Sequence, residues 1–181
     1  MKSVIVYESM FGNTEHLARK VAAGLAQAGS HTMLADVREV GPDDLAGSDL
    51  VVVGAPTHAF SLSRPSTRED AVRQGADPSH APFGVREWLD TLAEAFPVAT
   101  QRPQVAVFDT RVEKVRRLPG SAAKRAAKVL RAHGFDVLDR PTSFYVADVQ
   151  GPTTFGEFYR AHDWGARLFE LARSQQDRDA S

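Results

Sequence analysis

The sequence predicts an α/β protein in which a five-stranded parallel sheet is covered by helices on both faces. Two observations carry this prediction: short apolar runs alternate with amphipathic segments along the whole chain, and the strongest run, Leu50-Val51-Val52-Val53, is apolar on both faces. Parallel neighbours need right-handed helical crossovers, so the alternation fixes the layering. The opening Ser3 to Tyr7 is a β-branched strand, followed by a periodic helix from Asn13 to Ala28 that ends before Gly29. A second strand is expected at Thr32 to Val37, and the third is the run at 50–53, bounded by Asp49 and Gly54-Ala55-Pro56. From Ser61 to Pro82 the chain is polar and proline-bearing, and reads as a long loop with a turn of helix near Ser66 to Arg73. Val85, Trp88, Leu89, Leu92 and Phe96 then mark a helix stopped by Pro97. Gln104 to Phe108 reads as the fourth strand, and Ser121 to His133 as a helix closed by Gly134. The fifth strand is split by Pro141 into Phe135 to Leu138 and Ser143 to Val146. A last helix from about Thr154 to Ala172 puts Phe158, Ala161, Gly165, Leu168 and Ala172 on one stripe, leaving Ser174 to Ser181 as a frayed polar tail.

The 181 residues suit one compact domain, expected to occupy residues 1–173. With 43% hydrophobic and 25% charged residues and no apolar run near the ~20 residues that span a bilayer, no membrane span is expected. The N-terminal apolar run is too short for a secretory signal, which leads to an expectation of a cytoplasmic protein. The absence of cysteine excludes disulfides, thiolate metal sites, iron–sulfur clusters and a cysteine nucleophile, so any redox chemistry must come from a bound cofactor. Arg111 to Arg131 holds eight Lys or Arg against one Glu, a local +7 that leaves −8 for the rest of a chain whose net charge is −1.

In such folds ligands sit beyond the carboxyl ends of the strands, so the loops after strands one, three and four are the candidate site. The first, Glu8-Ser9-Met10-Phe11-Gly12-Asn13-Thr14, brings two hydroxyls, an amide and a glycine to the start of a helix. A helix N-terminus with unpaired N–H groups favours an anion, most often phosphate, and the loop has no Lys or Arg to help. A simple cap would need only one polar residue, such as Asn13 or Ser9, and not a converging set.

The run Val6 to Val21 resembles the flavodoxin signature: strand residues, then Ser9, two variable positions, the small Gly12, one variable position, Thr14, and a helix with Ala18. The resemblance implies a three-layer fold with strand order 2-1-3-4-5. It also implies non-covalent flavin mononucleotide (FMN), its phosphate wrapped by Ser9, Met10, Phe11, Gly12, Asn13 and Thr14. The loop after strand three is similar to the segment that follows one edge of the flavin ring in that family. There, Pro56 leads to Thr57, His58, Ala59 and Phe60, with Phe60 or His58 as stacking partner and the amides of Thr57 to Ala59 as donors. Asp109, Thr110 and Arg111 open the loop after strand four, where the family closes over the other side of the ring. No tyrosine lies between Asp109 and Gly120, so stacking is expected on one side, or from a residue elsewhere in the chain. Ala59 and Phe60 stand where many flavodoxins carry a flexible glycine, so a peptide flip there is expected to be harder. Gly120-Ser121 reads as a helix cap in preference to a second anion site.

No G-x-G-x-x-G, P-loop, phosphoacceptor aspartate after strand three, G-x-S-x-G elbow or metal-ligand spacing occurs, and no catalytic side chain or metal site is assigned. The implied function is electron transfer through FMN to a redox partner protein. The alternative is an FMN-dependent NAD(P)H or quinone oxidoreductase acting on a small quinone-like substrate, and the remaining one a flavin-free binding module. The basic stretch reads as a solvated face, or as an attractor for an acidic partner, a phosphorylated pyridine nucleotide or an anionic substrate. Nucleic acid is not expected, because the chain is slightly acidic and carries no recognition motif.

Overall fold

The computed structural model describes residues 1–96, 98 and 102–179. Strands β1 (Lys2–Tyr7), β2 (His31–Asp36), β3 (Leu50–Pro56), β4 (Gln104–Val112) and β5 (Thr142–Val146) form one parallel sheet in the order β2-β1-β3-β4-β5. Helices α1 (Asn13–Gln27), α2 (Pro65–Arg73), α3 (Val85–Ala95), α4 (Ala122–Ala132) and α5 (Glu157–Asp179) connect or follow them. The expected layering and strand order are therefore the observed ones.

Side chains alternate across the sheet, and the sequence obeys that alternation twice over. Val4, Val6, Val51, Val53, Val105 and Val107 pack against α3 and α4 residues such as Trp88, Leu89 and Leu130. Their neighbours Ile5, Leu50, Val52, Ala106 and Phe108 face the opposite core, with Leu17 and Val21 of α1 and Trp164 and Leu168 of α5. There Phe108, Phe144 and Trp164 meet edge to face at 5.6–6.0 Å between ring centres. Helices α1 and α5 cross closely because each has a glycine at the contact. A Cβ on Gly24 would lie 2.0 Å from the His162 carbonyl oxygen, and one on Gly165 2.2 Å from that of Val21.

Several boundaries differ from the expectation. β3 continues to Pro56 and β4 to Val112, so Asp109, Thr110 and Arg111 are strand residues paired with Ser143, Phe144 and Tyr145, not the start of a loop. The turn of helix expected after Ser61 is a nine-residue helix, α2, with Pro65 at its first position, where a missing N–H is harmless. β5 begins after Pro141, which cannot donate to the ladder; the earlier segment contributes only a bridge from Val137 to Val105. Helix α5 starts at Glu157 and includes the stretch expected as tail through Asp179, with Gln176 donating to Asp49 at 3.0 Å. Pro97, the expected helix stop, and Ala180 and Ser181 lie outside the described residues.

Candidate functional site

The β1–α1 connection leaves a run of main-chain donors facing a pocket. Beyond β1, the Glu8 N–H donates to the Gly54 carbonyl at 3.0 Å and holds the loop against β3. Gly12 then turns the chain at φ +84°, a left-handed conformation that a side chain resists, and caps α1 without any side-chain hydrogen bond. The Glu15 N–H reaches the Ser9 hydroxyl at 3.3 Å and the His16 N–H the Gly12 carbonyl at 2.9 Å. The five consecutive N–H groups from Met10 to Thr14 meet no acceptor among the described residues. Asn13 is the first helical residue rather than the cap, and the Ser9 hydroxyl closes only the Glu15 N–H.

These amides border a half-open pocket of ≈ 230 Å³. Its lining brings together Ser9, Met10, Phe11, Asn13 and Thr14 with Pro56, Thr57, His58 and Ala59, and with Thr110. Among the described residues that line it there is no Lys or Arg. Thr14 and Thr110 join two of its walls through a buried hydroxyl–hydroxyl hydrogen bond of 2.9 Å. Sequence reasoning missed a further wall: Thr67, Ala71 and Gln74 of α2 and its end, and Val112, Val146 and Val149 at the ends of β4 and β5. The first three were legible in principle, since positions i, i+4 and i+7 share one helix face. Val146 and Val149 were not, because attention to the switch point favours loops one, three and four over the loop after strand five, while Val112 lies one residue beyond the expected Arg111. That loop is tied across the pocket by Gln150, which donates to the Gln74 carbonyl at 2.9 Å.

Four of the expected site residues are not in the lining. Gly12 shapes the loop from behind. Asp109 is wholly buried, and its carboxylate accepts the Ala123 N–H at 2.8 Å. Arg111 is buried too, its guanidinium donating to the Val115 and Leu118 carbonyls at 3.0 and 3.1 Å. Phe60 points outward, 45% exposed, while its carbonyl side packs on Gly120. His58 and Ser61 exchange two main-chain hydrogen bonds, with Ala59 and Phe60 between them at φ +46° and +62°. The chain thus adopts a left-handed turn without glycine, which costs about 1–2 kcal/mol per residue. Of the amides proposed as ring donors, that of Thr57 is given to the Thr110 carbonyl and that of His58 to Ser61; among the described residues only that of Ala59 is without an acceptor.

Behind the pocket lies a buried polar network. Burial pushes the Glu8 carboxyl above its ordinary range, against the opposing pull of the Ser63 hydroxyl, the Val85 N–H and Arg68. That N–H, at the first turn of α3, donates to Glu8 Oε2 at 2.8 Å. Arg68, itself fully buried, donates to Ser63 and to the Ala81 carbonyl and pairs with Glu87 at 3.2 Å. Burial, helped by the nearby Arg68 charge, pushes the His58 imidazole down, so the ring is neutral at neutral pH. Among the described residues no group of three metal-binding side chains occurs, and no helix is long and apolar enough to cross a membrane.

Comparison with known proteins agrees with this architecture. The flavodoxin family model matches residues 5–71, from within β1 through the open helix start and β3 into α2. An archaeal flavodoxin superposes with a TM-score of 0.71 at 20% identity, over 96% of this chain and 99% of its own. The chain has a flavodoxin-like fold. Flavodoxin 1 of Bacillus cereus gives a TM-score of 0.67 at 17% identity, covering 94% of this chain and 98% of its own. Rubredoxin oxygen:oxidoreductase of Desulfovibrio gigas gives a TM-score of 0.65 at 20% identity; this chain aligns over 99% of its length but spans only 37% of that protein. At these identities the likeness is one of fold. No curated protein sequence matches the chain.

Proposed function

We propose that the chain binds FMN non-covalently at this pocket and carries electrons between redox partners. The observation that carries the reading is the row of five N–H groups from Met10 to Thr14 at the start of α1, which meet no acceptor and border a pocket without cationic side chains among the described residues. Aligned amides and the helix dipole together suit a dianionic phosphate held by neutral donors. Ser9 and Thr14 add hydroxyls, and the Thr14–Thr110 bond fixes the side of the pocket nearest the sheet. Pro56, Thr57 and His58 on one side and Ala71, Val112 and Val146 on the other supply walls for a flat aromatic ring, with the Ala59 N–H left to meet its polar edge. FMN supplies one- and two-electron chemistry that the side chains of a cysteine-free protein lack. The protein's part is to hold the nucleotide, keep His58 uncharged beside it and shield one face from water.

The test is to titrate the apoprotein with FMN and follow quenching of flavin fluorescence. Stoichiometric quenching by FMN but not by riboflavin, which lacks the phosphate, is the expected result; equal affinity for the two would remove the phosphate assignment. Mixing the holoprotein with NADH or NADPH, with and without a quinone, then separates carrier from enzyme: turnover would favour the oxidoreductase reading.

A further inference from the structure

A second, open hollow shares a wall with the pocket. Val112 and Val146, register partners at the ends of β4 and β5, line the pocket, and the residues that follow them, Glu113 and Ala147, line the hollow. Its other sides are Lys114, Arg116 and Arg117, all exposed. Only Arg116 has a counter-ion among the described residues, Glu113 at 3.6 Å. The charge continues on α4, whose sequence contains no acid and whose exposed Lys124, Arg125, Lys128 and Arg131 form no ion pair among the described residues. This arrangement works against the helix. Lys124 and Arg125 sit at the positive end of its dipole, and Lys124 and Lys128 are like charges four residues apart, each a penalty of a few tenths of a kcal/mol. Exposed apolar side chains lie along the same segments: Leu118 in the basic loop, Val149 in the loop after β5, and Phe60, whose backbone packs on Gly120.

We propose that this surface docks an acidic redox protein, its negative patch on Lys114, Arg116 and Arg117 and its one-electron centre at the pocket mouth. The proposal rests on the FMN reading. Exposed cations give fast, steered and readily reversed association, as an electron carrier requires, and apolar residues at the rim allow close approach. A small anionic ligand would instead need buried donors, and the hollow has none. In the complex one electron leaves the reduced centre of the partner and enters the flavin. The partner departs oxidised by one electron, and any proton taken up comes from solvent.

The test mixes FMN-loaded protein with a photoreduced, acidic plant-type [2Fe–2S] ferredoxin and follows flavin absorbance by stopped flow. The second-order rate is expected to fall about tenfold or more between about 20 and about 500 mM NaCl. The K114E/R116E/R117E variant should slow it by a similar factor at low salt and abolish the salt dependence, while FMN affinity by fluorescence quenching stays unchanged. A native rate indifferent to salt, or a variant as fast as the native protein, overturns the proposal. So does saturable reduction by NADPH that the same variant loses while ferredoxin reduction persists. If FMN does not bind, the quenching titration reports that failure separately. Amide shifts of the apoprotein with the same ferredoxin then decide: shifts at residues 113–118 and 147 support docking, and their absence refutes it.

Discussion

Helices α1 and α4 begin at the same edge of the sheet, both just after a glycine in left-handed conformation, yet one start is open and the other sealed. At α4 the Ala122, Ala123 and Lys124 N–H groups are accepted by Thr57, Asp109 and Ser121, at 3.0, 2.8 and 3.3 Å. The start of α3 is closed in the same way, by Glu8 on the Val85 N–H and Glu87 on that of Gly84. At α1 no carboxylate arrives, and the amides from Met10 to Thr14 remain unpaired among the described residues. A helix start becomes an anion site only where the surrounding strands withhold their own acceptors.

The largest effect expected from breaking this contrast is at the sealed end. Asp109→Ala strands the Ala123 N–H in the core and should lower stability by about 2 kcal/mol, or roughly 4–8 °C in Tm, read by thermal unfolding of the apoprotein. Its FMN affinity should change far less, whereas a site residue would lose binding first. Next comes a charge at the open end. Asn13→Asp places a carboxylate beside the free amides, so apoprotein stability should hold or rise while FMN affinity falls about tenfold or more, about 1.4 kcal/mol, by fluorescence titration. Thr14→Ala removes one half of the Thr14–Thr110 bond and should weaken FMN by about 1 kcal/mol, near fivefold. The smallest effect should come from Ser121→Asp, which exchanges one good cap for another. It should move stability by no more than about 0.5 kcal/mol and leave FMN affinity alone, the opposite outcome to the same charge at residue 13. Equal responses at residues 13 and 121 would erase the distinction between the two helix starts.

Much of the site was legible because its residues are contiguous. Ser9 to Thr14 advertise themselves as hydroxyls, amide and glycine between an apolar strand and a periodic helix, and Pro56 to Ala59 follow directly on the most apolar strand. Asp109 and Arg111 were placed in a loop because polar residues interrupt the apolar run after Phe108. The ladder to β5 carries the strand on through them, and their side chains serve α4 and the basic loop instead. The resemblance of the loop after strand three offers Phe60 or His58 as a stacking partner, but at the left-handed turn of residues 59 and 60 Phe60 is 45% exposed and outside the pocket lining. The wall from α2 and the loop after β5 depended on contacts far apart in sequence, such as Gln150 with Gln74.

Local chemistry by itself determined the alternation of strands and helices, the two-sided sheet and the position of the glycine-bearing loop between β1 and α1, because periodicity and such a turn act between near neighbours. Which helix starts stay open, and which acids close the others, was decided only by the tertiary structure. An acceptor from Asp109 or Glu8 reaches a helix start 14 or 77 residues away only once the sheet has set that distance.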